Sequence, residues 1–299
     1  MEDKEYLVLS SSSNGYQLYD LGDGSISLHP HRGKITFSDE KITIGDHVQL
    51  DEQGFISKIC PRNNFLKRPR LSNVDSVFVI VSCVQPDFSS YLLDKFLSLI
   101  NYSKIKASVV LTKFDLVKGA KKQKALVERL NSYQEIGYEV YFVNAHDKDA
   151  FDFPKLREDI KGKTVAFVGQ TGVGKSSLLN SIDDNFSRKV DSLYVNSGRG
   201  RHTTKEVILL PYENGFLFDT PGFSALELTE LKRIDLATCF PGYDKYIGKC
   251  YFTDCLHVPT SKGCSVLDDI GRTLNEESYE NYLRISEEVK ENEKWKKKL

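Results

Sequence analysis

Two stretches of this sequence combine residue types and spacing suited to phosphate chemistry. Gly169-Gln170-Thr171-Gly172-Val173-Gly174-Lys175-Ser176 fits G-x-x-x-x-G-K-[ST], and Ser177 follows. In such a loop, glycines let backbone N–H groups turn inward around phosphate oxygens. Lys175 then reaches the β- and γ-phosphates, the Ser176 hydroxyl ligates Mg²⁺, and the start of the following helix favours the anion. The strand-like TVAFV before the motif and the helix-like SLLNSI after it are the context it requires. The second stretch, FLFDTPG, ends an apolar run in Asp219, which is placed to hold Mg²⁺ through water. Gly222 can offer its backbone N–H to the γ-phosphate.

A third stretch, VVLTKFDLV, carries Thr112, Lys113 and Asp115 at the end of another apolar run. A carboxylate at Asp115 accepts hydrogen bonds from N1–H and the exocyclic amine of guanine. Adenine lacks both donors in that arrangement, so discrimination should be large and the expected ligands are GTP and GDP. The Lys113 stem can lie along the base plane. Thr112 stands where Asn is more usual, which predicts one weakened polar contact. Asn144 and Ala145 end the next apolar run, where a second base-contacting loop belongs. The base-reading loops therefore precede the phosphate loop in the chain. Ligands of open parallel sheets bind at the carboxyl ends of the strands. Cutting such a sheet in one loop and joining its old ends leaves each loop in place, so the order predicts a circular permutation.

Cys250, Cys255, His257 and Cys264 supply three thiolates and one imidazole, a closed Cys₃His set of the kind that holds structural Zn²⁺. No open coordination position follows from four protein ligands, so zinc catalysis is not expected. Cys239 is a possible substitute ligand or a buried thiol, and Cys60 and Cys83 sit in or beside strand-like runs as core residues.

The elements around these residues fall into three segments. Residues 1–64 contain the short strand-like runs YLVLS, GYQLYDL, SISLHP, KITIGDHVQL and GFISKI with turn signals between them, which predicts an OB-like β-barrel. A basic, proline-containing linker, NNFLKRPRLSN, follows. Residues 65–228 alternate apolar strands with helical patterns, which predicts an α/β domain with a parallel, doubly wound sheet carrying the permuted nucleotide site. Residues 229–299 hold the Cys/His cluster and end in the polar helix-like SYENYLRISEEVKENEKWKKKL.

The net charge of −1 argues weakly against a dedicated nucleic-acid binder. Basic residues are nevertheless bunched, at Lys118, Lys121, Lys122 and Lys124 and at Arg199, Arg201 and Lys205 among other places. No apolar run reaches the roughly 18 residues of a membrane span, and the acidic start lacks the pattern of a signal peptide. No membrane partner and a cytoplasmic location are expected.

The motif order, the Gly200–Thr204 stretch GRHTT and the Cys/His cluster together resemble the circularly permuted, ribosome small-subunit-dependent GTPases of bacteria, the RsgA family. The resemblance covers nearly the whole chain. It implies late maturation of the small (30S) ribosomal subunit and a GTPase stimulated by that subunit, and small-subunit rRNA as a partner and a monomeric state are expected. No glutamine follows DTPG, and the resemblance assigns the attacking water to His202, with Thr203 or Thr204 completing the Mg²⁺ site. Thr112, Asn144 where Ser is usual, Lys205, and a His-to-Cys gap one residue longer depart from the pattern. Two other readings remain at this level: an RNA-binding scaffold in which GTP is mainly structural, and an ATP-using P-loop enzyme.

Overall fold

Short strands come first, and helices interleave only later. In the computed structural model of the protein, residues 4–30, 41–196, 207–220 and 228–296 are described. Strands β1 (Glu5–Ser12), β2 (Gly15–Asp20), β3 (Ile26–His29), β4 (His47–Leu50) and β5 (Ile56–Ile59) form an antiparallel sheet in the order β3-β2-β1-β4-β5. β6 (Phe65–Lys67) and β7 (Arg70–Ser72) pair as a hairpin. Then come β8 (Ser76–Ser82), α1 (Ser90–Tyr102), β9 (Lys106–Thr112), α2 (Ala120–Glu135), β10 (Glu139–Phe142) and α3 (Phe153–Ile160). β11 (Thr164–Gly169), α4 (Lys175–Ile182), α5 (Phe186–Asn196), β12 (Ile208–Tyr212) and β13 (Gly215–Asp219) follow, and α6 (Arg233–Cys239), α7 (Ser265–Asp269) and α8 (Glu276–Lys296) close the chain.

Hydrogen-bonded neighbours give a six-stranded sheet in the order β10-β9-β8-β11-β13-β12. β10 lies parallel to β9 and β11 parallel to β13. The sheet is mixed rather than wholly parallel, because β12 runs antiparallel to β13. Glu213 and Asn214 join them with φ of 44° and 62°, the left-handed pair that a two-residue hairpin turn needs.

The chain divides into two compact units, one of Met1–Val77, Pro154–Phe167 and Lys175–Pro221, the other of Phe78–Phe153, Val168–Gly174 and Gly222–Leu299. In the first, Tyr19 of β2 meets Phe216 of β13 edge-on at 5.2 Å, and Gln17 Nε2 donates to Leu193 O at 3.0 Å. The run KITIGDHVQL becomes strand only from His47. Gly45 has φ of +92°, and a Cβ there would lie 2.3 Å from Ser72 O, so the backbone turns where no side chain fits. Arg62 clamps the buried Asp46 with both ends of its fork, Nε to Oδ1 at 2.6 Å and Nη2 to Oδ2 at 2.8 Å. An OB barrel is a partly open five-stranded Greek key. Among the described residues no ladder joins β3 to β5, but His29 Nδ1 lies 2.8 Å from Gly54 O in the turn before β5.

In the second unit, α1 buries Leu93, Phe96, Leu97 and Ile100 on one face, the three-to-four spacing of an amphipathic helix. Tyr282, Ile285 and Val289 form the buried stripe of α8, in one apolar cluster with Leu236, Phe240 and Tyr243. Inside this packing lies a carboxyl group without exposure. Asp94 of α1 accepts hydrogen bonds from Tyr133 Oη and from Asn281 Nδ2, both at 2.8 Å. Burial pushes its pKa up to about 7. Among the described residues, no helix is long and apolar enough to cross a membrane.

Candidate nucleotide site and metal centre

In the second unit, β11 ends in Gly169, where a Cβ would lie 2.4 Å from Ile80 O of β8. Only glycine allows the loop to leave the strand that close to its neighbour. Gln170 is half-buried and Thr171 exposed. Gly172 and Gly174 take φ of +87° and +94°, which turns the chain tightly around the buried Val173.

β9 delivers the residues expected to read the base, Thr112 and Lys113, against this loop. Thr112, only 2% exposed, has Oγ1 2.5 Å from Val173 O and 3.2 Å from Val81 O. Lys113 adopts φ of 58°, a left-handed conformation uncommon for a long side chain. Its Nζ donates to Gly172 O at 2.8 Å and to Gln85 O at 2.5 Å. Asp115 is exposed within the short turn Phe114–Leu116. Phe114 stands edge-on to Phe142 and Phe151, at 5.1 and 5.6 Å, and so fixes the loops after β9 and β10 to each other. In the second of these loops Asn144 Oδ1 accepts the His146 N–H at 2.8 Å, shaping the turn that holds the half-buried Ala145. Cys83 is buried beside these loops. Burial, with a smaller contribution from the charge of Asp115, pushes its thiol up to about 12, which leaves it inert.

The chain enters the first unit between Gly174 and Lys175. Lys175 opens α4 at 8% exposure, and its Nζ pairs with Asp219 Oδ1 at 3.0 Å. Asp219 ends β13, and the next residue, Thr220, is fully buried and donates from Oγ1 to Phe167 O at 2.6 Å. That bond fixes the height at which the carboxylate leaves the sheet. Ser176 and Ser177 are exposed on the first turn of α4. Gly222, His202, Thr203 and Thr204 lie outside the described residues, as do Arg199, Arg201 and Lys205.

The candidate metal centre belongs to the second unit. One ligand atom from each of Cys250, Cys255, His257 and Cys264 can be chosen so that all lie within 4.8 Å of one another. The Cys250 and Cys264 sulfurs are 4.0 Å apart. Tetrahedral Zn–S bonds of about 2.3 Å place sulfurs about 3.8 Å apart, so the donor set fits zinc. His257 Nδ1 is 3.3 Å from Cys264 Sγ and 3.7 Å from Cys250 Sγ. Nε2 lies 3.1 Å from Ala237 O. A proton on Nε2 serves that carbonyl and leaves the Nδ1 lone pair for a metal. The Tyr279 and Tyr282 hydroxyls donate to the carbonyls of His257 and Leu256, at 3.0 and 2.5 Å. These supporting tyrosines carry no local motif, and the role of Thr220, although it stands inside DTPG, was not legible either. Cys239 stands outside the four-residue group, and burial pushes its thiol up to about 12.

Residues 59–229 match the model of the family described as RsgA GTPase. A relative named small ribosomal subunit biogenesis GTPase RsgA, from Bacillus pumilus (strain SAFR-032), is 35% identical over 291 residues, 95% of this chain and 97% of the relative. The chain belongs to the RsgA GTPase family. The member from Bacillus subtilis (strain 168) is 34% identical over 95% of this chain and 97% of its own length. Two solved structures share the fold. YloQ, described as a circularly permuted GTPase, gives a TM-score of 0.77 at 30% identity over 96% of this chain and 95% of YloQ. YjeQ from Thermotoga maritima gives 0.79 at 31% over 96% of this chain and 98% of YjeQ.

Proposed function

We propose that this member of the family hydrolyses GTP in the biogenesis of the small ribosomal subunit, the role its relatives' names carry. The observation that best supports a guanine-nucleotide site is the tie from Lys113 Nζ to Gly172 O, which joins the TKFD turn to the glycine-rich loop. GTP or GDP would place its base at Asp115, along the Lys113 stem and beside Ala145 and Asn144, with its phosphates on Gly169 to Ser177. Lys175 and Asp219 neutralise each other across 3.0 Å. A triphosphate competes with Asp219 for the ammonium group, so phosphate binding frees the carboxylate. Mg²⁺, held by Ser176 and through water by Asp219, would supply charge to the β- and γ-oxygens.

Hydrolysis breaks the bond from the γ-phosphorus to the β–γ bridging oxygen as water attacks in line. His202 is proposed to orient that water, with Thr203 or Thr204 completing the metal site. Arg199, Arg201 and Lys205 beside it suit rRNA phosphates. The proposed division is a barrel over 1–64, a GTPase domain over 65–228 and a zinc-binding domain over 229–299, with Zn²⁺ held by Cys250, Cys255, His257 and Cys264. A cytoplasmic monomer suits a factor acting on ribosomal subunits. Competition against fluorescent GDP tests the base assignment. GTP should displace it at concentrations roughly a hundredfold below ATP, and equal displacement by ATP would contradict the reading.

A further inference from the structure

We infer that Gln17 of β2 is a positioning residue for GTP hydrolysis, which caps the end of α5 and so fixes the point from which the chain enters the stretch that carries His202. The inference rests on the hydrolytic reading above.

Successive side chains of a strand point to opposite faces of its sheet. On β2, Leu18 faces one way and has no exposure, while Gln17 and Tyr19 share the other face. Neither of these two is left to solvent. Tyr19 meets Phe216 of β13 edge-on at 5.2 Å, three positions before Asp219. Gln17 Nε2 donates to Leu193 O of α5 at 3.0 Å. One strand of the N-terminal sheet therefore touches both elements that lead to the proposed hydrolytic groups: β13, which ends in Asp219, and α5, which ends six positions before His202. β2 is held along both edges, by β1 and β3. Its ladder with β1 skips a residue between Val8 and Ser10, opposite Leu18 and Gln17. Such a bulge re-aims the side chains beside it.

The last four carbonyls of a helix have no intrahelical partner. α5 ends at Asn196, so Leu193 O is the first of the four. Gln17 is 2% and Leu193 5% exposed, and the glutamine amide supplies the donor that another turn of helix would have offered. A helix of eleven residues is marginal on its own, so what packs against it decides where it stops. Lys189 Nζ ties the first half of α5 to Asp183 Oδ2 at 2.6 Å and to Pro211 O at 3.1 Å, and Gln17 ties its end. Gln17 Oε1 is buried and meets no donor among the described residues. An unpaired buried acceptor costs free energy that an apolar side chain would avoid. The donor to α5 is what glutamine adds at this position.

Gln17→Met in the full-length protein tests this, because methionine nearly matches the shape and removes both polar atoms. In the nucleotide-free protein, amide hydrogen exchange over 193–196 should be roughly threefold to tenfold faster than in wild type, with the melting temperature not lowered. At saturating small subunits, GTP hydrolysis should slow roughly tenfold or more. The GTP and subunit concentrations for half-saturation should stay within about twofold. Leu18→Val, on the opposite face of β2, is the control: it should lower the melting temperature and leave hydrolysis per folded molecule unchanged. Wild-type exchange in Gln17→Met would overturn the cap. Faster exchange with wild-type hydrolysis would overturn the positioning role. Slower hydrolysis matched by Leu18→Val would also overturn it, because general loosening of the sheet would then explain the loss. If wild type hydrolysed no GTP, the hydrolytic reading would fall and the positioning role with it, while exchange would still decide the cap.

Discussion

Replacing Asp94 with Asn should remove a pH dependence built into the packing of α1 against α8. The Asp94 carboxyl is wholly buried, and burial raises its pKa from 3.8 to about 7. Hydrogen bonds from Asn281 and Tyr133 and the charge of Arg129 oppose the rise, while the charge of Glu277 adds to it. The folded chain therefore keeps a proton that the unfolded chain releases near pH 4. Stability linked to this group is fully present below about pH 4 and is lost as pH rises through about 7, with no further loss beyond. A rise of about three pKa units is worth about 4 kcal/mol in all, of which about 3 kcal/mol falls between pH 5 and 8.5. The carboxamide in Asp94→Asn can still accept a hydrogen bond but does not titrate. Urea unfolding followed by circular dichroism at pH 5, 6, 7 and 8.5 should show wild type losing about 3 kcal/mol relative to the variant across the range. Profiles that stay parallel within about 0.5 kcal/mol would refute an ionisable, buried Asp94.

Three further outcomes are expected. Asp115→Asn should weaken GTP binding by roughly tenfold or more and admit xanthosine triphosphate, whose C2 carbonyl suits the new amide; unchanged GTP affinity in a titration would remove Asp115 from base recognition. Elemental analysis should find about one zinc per chain, and Cys255→Ser should lose the metal and speed amide exchange beyond residue 229, whereas full zinc retention in Cys250→Ser/Cys255→Ser would exclude the site. His202→Ala should lose about a hundredfold or more of subunit-stimulated turnover while GTP binding and subunit docking persist; wild-type stimulated turnover would assign the water to another group.

The nucleotide loops were legible because short-range chemistry specifies them. The glycines at 172 and 174 are where φ is positive, and TKFD ends a buried strand as the apolar run indicates. The reversed order of these loops was enough to point to the permutation. The geometry at Thr112 was not legible, because its acceptors, Val81 O and Val173 O, come from distant parts of the chain. The antiparallel β12 was also missed. ILLPY reads as a plain apolar run, although Asn214-Gly215 after it is a hairpin signal. The linker around Arg68-Pro69 forms the β6–β7 hairpin, and α3 and α5 were missed although Phe153, Leu156 and Ile160, and Phe186, Val190 and Leu193, recur at helical spacing. The Cys₃His set was readable from spacing, but which nitrogen of His257 faces it depends on Ala237 O, which only the fold brings to His257.

The central claim is that this chain is a GTPase switched on by the small ribosomal subunit. Its most direct test is steady-state phosphate release from GTP by the purified protein, alone and with equal amounts of purified small or large subunits. Intrinsic turnover should be slow, on the order of 10⁻⁴ to 10⁻² per second, as for GTPases without a partner. Small subunits should raise it by roughly tenfold or more and large subunits should leave it unchanged. Equal stimulation by both subunits, or none by the small subunit, would contradict the account.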